Sequence, residues 1–323
     1  MAAKPLPVYR VAKRLAAVKG SSKVVREPGF RITTAASVKG DRLTTKAGYV
    51  YPLGSLQVES KWLAAQGPKF TKVARVQPPA KGNFQGCIPV KDGWIVAEAR
   101  KQSDGSEDAY FWKAPLGAPG ATVKTGSKPF ILNATPGNGL HPTGWGASDD
   151  GVLWLTWNGE GTGNAIVTAN YVAGRTQGKA ACQKMNIFDT RNCQIAFDTA
   201  NTMATVRHVG KTVDTHTLRA KQDILDGKDQ KLGTVAIPRS DDRVVQGFTL
   251  VKVGTVWELR VLVGLKSANS PFRIERWNAT TGKHIATVAL PDTLGREPEG
   301  IDGDLVGFKT EDRSAVDVYR YTV

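Results

Sequence analysis

The chain has 323 residues, of which 41% are hydrophobic and 23% charged, values that are ordinary for a globular protein. No apolar run approaches the roughly 18 residues of a membrane-spanning helix, so the sequence predicts no membrane insertion. The net charge of +15 is uneven, because residues 1–68 contain twelve Lys and Arg against three acids and therefore carry +9.

Residues 1–20, MAAKPLPVYRVAKRLAAVKG, do not look like a secretory signal. Such a signal needs an uninterrupted apolar core of roughly 7–15 residues, and here Arg10, Lys13, Arg14 and Lys19 interrupt every candidate. We therefore predict no export signal. The apolar positions between residues 8 and 18 are compatible with a short amphipathic helix.

Residues 21–46 are basic and contain few large apolar side chains, so they cannot easily form a core of their own. Two interpretations remain open: a solvated, partly flexible tail, or an arm that becomes ordered on a larger, acidic partner. Residues 48–54, GYVYPLG, offer aromatic and apolar contacts for such docking. Overall, residues 1–68 are predicted to be a basic, mostly irregular arm.

Nucleic acid is another partner to consider, because clustered Lys and Arg release counterions from phosphates. However, the arm lacks the interleaved aromatic residues of a single-strand platform and any recognisable recognition helix. We therefore do not predict nucleic-acid binding.

The rest of the chain contains five similar stretches, each with a polar residue, usually a neighbouring glycine, and then a short apolar strand. The polar positions are Gln85, His141, Gln194, Gln246 and Glu299, which lie 56, 53, 52 and 53 residues apart. A period near 50 residues made of strands is typical of a β-propeller. A β-sandwich with coincidental spacing is the alternative.

Later strands repeat as well. Residues 232–238, LGTVAIP, resemble residues 285–291, IATVALP, and residues 120–123 are a weaker copy. The fifth repeat lacks this last strand, and residues 69–79 can supply it, which would remove a free sheet edge. We therefore predict an all-β fold over residues 69–323: a five-bladed β-propeller closed by an amino-terminal strand.

The three cysteines, Cys87, Cys182 and Cys193, are too few for a disulfide framework. Cys182 and Cys193 are near enough in sequence to pair across a turn, but free thiols are the preferred interpretation. No Cys or His spacing suggests zinc, and we predict neither a metal nor a cofactor.

The first strand of each propeller blade lines the central channel, so the five polar positions are expected to lie near one mouth, at strand starts. They would either hold the ring together by hydrogen bonds between blades or bind a polyol or sugar. Trp145, between two glycines and close to His141, is predicted to be an exposed stacking face. The candidate ligand-binding residues are Gln85, His141, Trp145, Gln194, Gln246 and Glu299.

An enzyme is not predicted. A propeller hydrolase needs a convergent set of metal-binding acids and amides, but only Glu299 lies at a repeated position. Asp150, Asp198 and Asp302 can contribute but do not recur in register. No catalytic residue is assigned, because Gly-x-Ser-x-Gly and His-Glu-x-x-His motifs are absent from the sequence.

Three segments resemble a known family. They are Gln85-Gly86 at a strand start, residues 139–146 (GLHPTGWG) followed by residues 150–154 (DGVLW), and residues 297–301 (EPEGI). These segments are similar to the β-propeller domain shared by receptor-binding proteins of phages of Gram-positive hosts and by proteins called teichoic-acid biosynthesis protein C. The third repeat departs from the pattern, because Ile195 follows Gln194 where a glycine is expected.

The resemblance implies a five-bladed propeller on the virion tail, assembled in the host cytoplasm, that binds a host cell-surface polysaccharide or teichoic acid. It also implies an amino-terminal region that attaches to other tail proteins and often trimerises. A purely structural tail protein, a wall-polymer hydrolase and a cellular scaffold propeller are the alternatives.

Overall fold

A computed structural model describes residues 69–133, 145–148, 151–157, 165–178, 183–185, 193–239, 243–265, 272–291 and 297–322, together with short strands before residue 69. The chain divides into two compact units. The first comprises residues 1–68 with Val323, and the second comprises residues 69–322.

The first unit contains short strands that form three small antiparallel sheets, ordered β4-β1-β8, β2-β3 and β5-β6-β7. The strands are β1 (Tyr9–Val11), β2 (Ala16–Ala17), β3 (Val24–Val25), β4 (Arg31–Ile32), β5 (Ala35–Lys39), β6 (Arg42–Thr45), β7 (Val50–Pro52) and β8 (Leu56–Val58).

The short helix with which residues 8–18 are compatible is not formed at Tyr9–Val11 and Ala16–Ala17, because these residues are the extended strands β1 and β2. Tyr and Val favour strands over helices, and β1 has pairing partners in both β4 and β8. Paired strands therefore occur within the predicted arm. The Gly-Asp pair between β5 and β6 is a frequent hairpin-loop sequence that signals one of these pairings.

In the second unit the described residues form strands and one short helix, α1 (Lys221–Leu225). No helix in the described part of the chain is long and apolar enough to cross a membrane. The strands are β9 (Lys69–Gln77), β10 (Asn83–Val90), β11 (Gly93–Lys101), β12 (Glu107–Pro115), β13 (Thr122–Lys124), β14 (Phe130–Asn133), β15 (Trp145–Ala147), β16 (Val152–Trp157), β17 (Ala165–Asn170), β18 (Thr176–Gly178), β19 (Gln183–Met185), β20 (Cys193–Phe197), β21 (Met203–Val209), β22 (Val213–Ala220), β23 (Gly233–Pro238), β24 (Arg243–Val253), β25 (Val256–Leu265), β26 (Arg273–Asn278), β27 (His284–Ala289), β28 (Glu297–Asp302), β29 (Leu305–Lys309) and β30 (Val316–Thr322).

These strands build five antiparallel blades around a ring, so the predicted five-bladed propeller is confirmed. From the inside outward, the blades are β10-β11-β12-β14, β15-β16-β17-β19, β20-β21-β22-β23, β24-β25-β26-β27 and β28-β29-β30-β9. The innermost strand of each blade contacts the innermost strand of the next blade, and β28 of the fifth blade returns to β10 of the first.

The ring is closed by β9, which is the outer strand of the fifth blade, as predicted. Ala74 lies opposite Val318 and Val76 opposite Val316. Asp317 on β30 forms ion pairs at 2.7 Å with both Arg75 and Lys72. Burial alone would raise the pKa of Asp317, but hydrogen bonds from Arg75 and Lys72 outweigh it and leave this pKa below its usual value.

The prediction that residues 120–123 copy the last strand of a blade is wrong. That place in the first blade belongs to β14, whereas β13 pairs in parallel with β9 of the fifth blade. The reason is packing, because Val123 joins Ala74 and Val76 in the core between the fifth and first blades. In the same way, β18 from the second blade pairs in parallel with β14 of the first.

The buried apolar side chains of the described residues form five clusters, each shared by two neighbouring blades. Phe111 and Phe130 of the first blade, for example, pack with Trp145 and Leu153 of the second. Burying a side chain of this size stabilises the fold by about 1.5–3 kcal/mol. Each blade therefore depends on its neighbours for its core.

Candidate binding site at the mouth of the central channel

Glycines recur beside the polar positions because the innermost strands approach one another closely. A Cβ atom added to Gly300 would lie 3.2 Å from Gly86 Cα, and one added to Gly247 would lie 3.1 Å from Gly300 Cα. Gly86 and Gly300 also have φ angles of +139° and +100°, which other residues rarely adopt. The polar-glycine repeat is thus a packing requirement of the channel wall.

Two of the predicted site residues, Gln246 and Glu299, take part in a polar network between blades. Gln246 Nε2 donates to Glu297 Oε1 at 2.9 Å, which connects the fourth blade to the fifth. Lys309 Nζ lies 2.6 Å from Glu299 Oε1 and 3.5 Å from Asn83 Oδ1 of the first blade. These contacts agree with the interpretation in which the repeated polar residues hold the ring together.

Glu299 is 4% exposed and lines neither of the channel cavities described below. Burial raises the pKa of Glu299 to about 8, even though the ammonium of Lys309 lowers it. Ionising the buried Glu299 carboxyl group is therefore energetically costly, and this group is not placed at the surface to contact a ligand.

The other predicted residues have different surroundings. Gln194 Oε1 accepts a hydrogen bond from Arg207 Nη1 at 2.6 Å, within the third blade. Gln85 lines the narrow part of the channel. His141 lies outside the described residues. Trp145 is only 8% exposed, so the prediction of an exposed ring is wrong.

Trp145 is buried because it begins β15, the innermost strand of the second blade, rather than occupying a surface loop. Its ring packs edge-on against Phe111 of the first blade, and its Nε1 lies 3.4 Å from the Gln85 carbonyl oxygen. It nevertheless lines a cavity, described next.

A cavity of about 250 Å³ opens at the channel mouth formed by the carboxyl ends of the innermost strands. We call it the mouth cavity. Gln85, Gln194, Gln246 and Glu299 belong to the amino-terminal parts of their strands, so the larger space is at the end opposite to the predicted one. The lining residues are Ile88, Pro89, Val90, Lys91, Trp145, Gly146, Ala147, Ala196, Phe197, Asp198, Thr199, Asn201, Phe248, Ile301 and Asp302.

Below the mouth cavity the channel narrows to a space of about 20 Å³, lined in part by Gln85 and Gln246. This space suits about one water molecule. Four side chains, those of Ile88, Trp145, Phe248 and Ile301, line both spaces and form the constriction between them. A polymer chain therefore cannot thread through the channel.

The aromatic wall of the mouth cavity is rigid. Each of its three rings packs edge-on against a ring of the preceding blade, a favoured geometry for aromatic pairs. The pairs and their centroid distances are Trp145 with Phe111 at 5.5 Å, Phe197 with Trp154 at 5.0 Å, and Phe248 with His216 at 5.0 Å.

Asp198, one of the two acids in the cavity, is 6% exposed and organises the turn that follows β20. Its carboxylate accepts hydrogen bonds from the backbone N–H groups of Ala200, Thr202 and Met203, at 3.2, 2.8 and 2.7 Å. Asn201 in the same turn has a φ angle of +54°. Its Oδ1 is buried and has no hydrogen-bond partner within the described part of the chain.

Asp302, the second acid, ends β28. The Thr249 hydroxyl donates to Asp302 Oδ1 at 3.2 Å and accepts from the Gly303 N–H at 3.1 Å, which joins the fourth and fifth blades. Burial raises the pKa of Asp302 to about 6, and the neighbouring carboxylates of Asp304 and Asp198 add to the increase.

Asp198 and Asp302 have no third metal-binding side chain beside them in the part of the chain that the structure describes. Across the described residues, no group of three or more His, Cys, Asp or Glu side chains is placed to hold a metal ion. Asp198 follows Gln194 at a different sequence distance from that at which Asp302 follows Glu299. The repeat pattern therefore does not identify these two acids.

Cys87 is a free thiol on β10, and burial raises its pKa. Cys193 is buried at the start of β20. Cys182 lies outside the described residues, so pairing between Cys182 and Cys193 stays a question for experiment.

Comparison with known proteins identifies the fold. No protein-family model and no curated protein sequence matches the chain. Among solved structures, the tail fibre of Staphylococcus aureus phage P68 matches with a TM-score of 0.58 and 16% identity, over 79% of this chain and 52% of the fibre. The chain thus spans about half of the fibre's length, and the likeness shows a common propeller fold.

Other solved structures also match, with lower TM-scores. A thermostable family-43 glycoside hydrolase aligns with a TM-score of 0.39 and 11% identity, over 79% of this chain and 90% of the enzyme. A putative TolB from Agrobacterium tumefaciens aligns with a TM-score of 0.34 and 12% identity, over 78% of this chain and 80% of that chain. These likenesses are too distant to indicate an activity.

Proposed function

We propose that the chain is a phage tail protein whose propeller binds a host cell-surface glycan or teichoic acid in the mouth cavity. The observation that carries this proposal is the cavity itself. It combines a rigid aromatic wall with the hydrogen-bonding groups of Asp198, Thr199, Asn201 and Asp302 at one open channel mouth.

The chemistry of a sugar or polyol matches this lining. Such a ligand presents C–H groups that pack on aromatic rings and hydroxyls that need both donors and acceptors. Its binding sites are concave, mostly apolar and supplied with a few placed polar groups. Because the aromatic side chains are already fixed by their neighbours, little ordering entropy is lost on binding.

The likeness to a phage tail fibre, together with the resemblance of residues 297–301, supports the tail setting in this proposal. In that setting residues 1–68 attach the propeller to other tail proteins. The net charge of +9 on these residues is complementary to an acidic surface on such a partner. Trp145 in the wall of the mouth cavity is the proposed ligand contact among the residues predicted from the sequence, whereas Gln85 and Gln246 line only the narrow space below it.

A binding experiment with the full chain tests the proposal. Thr199 is exposed at the rim of the cavity, so Thr199→Trp should obstruct its mouth without disturbing the core. We expect the wild-type chain to bind purified cell walls from at least one of a panel of Gram-positive bacteria, and the variant to bind at least about tenfold more weakly.

The matched control is Thr287→Trp, on the exposed outer strand β27, which should bind like the wild type. Equal binding by both variants would place the glycan elsewhere. Absence of wall binding by the wild-type chain across the panel would favour a purely structural tail protein.

A wall-polymer hydrolase is the second candidate, and one observation favours it. The mouth cavity holds two carboxylates, and the pKa of Asp302 is raised toward the range of a general acid. Release of soluble fragments from wall polymer by the wild-type chain, and its loss in Asp302→Asn, would establish this activity. Intact polymer after prolonged incubation would exclude it.

A further inference from the structure

The charge of the mouth cavity limits which ligand groups can enter it. Within the described part of the chain, its charged lining consists of two carboxylates, Asp198 and Asp302, and one ammonium group, Lys91, which is exposed. This described lining is therefore net negative, whereas the chain as a whole carries +15. A patch whose sign opposes that of the whole chain attracts ligand groups different from those attracted by the rest of the surface.

The two carboxylates are not equivalent. Asp198 already accepts three backbone hydrogen bonds and one from the Thr202 hydroxyl. Asp302 Oδ1 accepts from Thr249, whereas no donor to Asp302 Oδ2 is found among the described residues. Asp302 also remains partly accessible, although burial raises its pKa. Its second oxygen is thus the acceptor that is still available to a ligand.

Two ligand groups can be compared at this position. A primary ammonium would form a charge-assisted hydrogen bond with Asp302 and lie against the rings of Phe197 and Phe248, which attract cations. A phosphate would face two carboxylates at short range, and Lys91 is the only charged donor among the lining residues that the structure describes. The electrostatics therefore favour the ammonium and disfavour the phosphate.

The shape of the cavity limits how much of a polymer can enter. Its volume is about 250 Å³, and the floor below it narrows to about 20 Å³. One sugar ring or small polyol with its substituent fits this space. A continuous polymer does not, so the ligand must be a terminal or pendant unit.

We propose that the mouth cavity is a specificity pocket for a single amine-bearing unit of a host wall polymer, with the ligand ammonium at Asp302 and the polymer phosphates outside. This inference rests on the proposed function, that the propeller binds host glycan at this mouth. The amine can belong to an amino sugar or to an aminoacyl ester on a polyol. Both present a primary ammonium next to hydroxyl groups.

Competition against labelled wall polymer, with the full chain, tests the pocket. The probes are D-glucosamine, alanine methyl ester, D-glucose and glycerol 3-phosphate. At least one amine probe should displace the polymer at a concentration about tenfold lower than D-glucose, and glycerol 3-phosphate should be the weakest competitor. The stronger amine probe identifies the source of the ammonium group.

Asp302→Asn removes the charge while keeping the size of the side chain and the acceptor for Thr249. It should reduce the preference for the amine probe over D-glucose from about tenfold to about one. The matched control is Asp304→Asn, two residues away, where the carboxylate is half-exposed, pairs with Arg320 at 3.0 Å and does not line the cavity. This control should keep most of the preference.

The outcomes separate the inference from the proposed function. If wild-type chain binds wall polymer but D-glucose competes as well as both amine probes, the amine pocket is refuted while glycan binding stands. Retention of the amine preference in Asp302→Asn would also refute it. If no wall polymer binds at all, the proposed function fails first.

Discussion

Glu299 shows how a single buried acid can make this ring sensitive to pH. It lies 2.6 Å from Lys309, yet burial raises its pKa to about 8. The unfolded chain releases this proton near pH 4.3, whereas the folded chain retains it to about pH 8. Between these values the folded state binds more protons, so its stability falls as pH rises.

Glu299→Gln should remove much of this dependence. The wild-type free energy of unfolding should decrease between pH 5 and pH 8, by an amount on the order of a few kcal/mol, and the variant should decrease less. Denaturant titrations at both pH values measure the difference. Asp302, with a pKa of about 6, contributes in the same direction over the lower part of the range.

The control for this prediction is Glu311→Gln, because Glu311 is exposed in the same blade. It should retain the wild-type pH dependence. If Glu299→Gln also retains it, Glu299 is ionised throughout the range and its ion pair with Lys309 outweighs burial.

At the scale of elements, the ring is joined by more than its closing strand. β13 leaves the first blade to pair with β9 of the fifth, and Gly120 N–H donates to the Val73 carbonyl at 2.9 Å. β18 connects the second blade to the first in the same manner. The outer strands of the fifth and first blades, β9 and β14, are thereby each paired with a further strand, which limits edge-to-edge association between molecules.

Deleting residues 69–79 should unfold or aggregate the propeller. The fifth blade would lose its outer strand, β13 would lose its partner, and the core would lose Ala74 and Val76. Scattering and a thermal melt of the full chain measure the effect. A deletion of equal length within the first unit, residues 12–22, is the control and should leave the main melting transition in place.

A monomeric protein with an unchanged melting transition after deletion of residues 69–79 would contradict the role of β9 in closing the ring.

Some of these elements can be predicted from sequence and others cannot, for physical reasons. The innermost strands repeat every 52 to 56 residues because each must present a glycine or polar residue to the same crowded axis. The pattern of polar and apolar residues in β13 does not indicate which blade this strand joins, because Val123 would be buried in the first blade or in the fifth. The mouth cavity is also hidden, because Phe197, Phe248 and Asp302 become neighbours only when the ring closes.

At the scale of the whole molecule, the two units differ in their density of positive charge. Residues 1–68 carry +9 of the total of +15, although they form about a fifth of the chain. Such a segment suits attachment to an acidic surface, and the propeller contains its own core clusters. Attachment and ligand binding are therefore separable in this proposal.

Deleting residues 1–46 should leave the propeller folded and able to bind wall polymer, but should abolish incorporation into virus particles. Quantifying the protein in purified particles, next to a wall-binding assay of the same variant, measures both properties. Particles that still carry the truncated protein would show that the attachment site lies in the remaining chain.

The five core clusters, each shared by two blades, have a consequence for how the ring comes apart. Each of these clusters contains side chains from two blades, so unfolding one blade would expose apolar side chains of both neighbouring blades to water. Partly unfolded rings therefore have a high free energy, and thermal unfolding of the propeller should be a single cooperative transition.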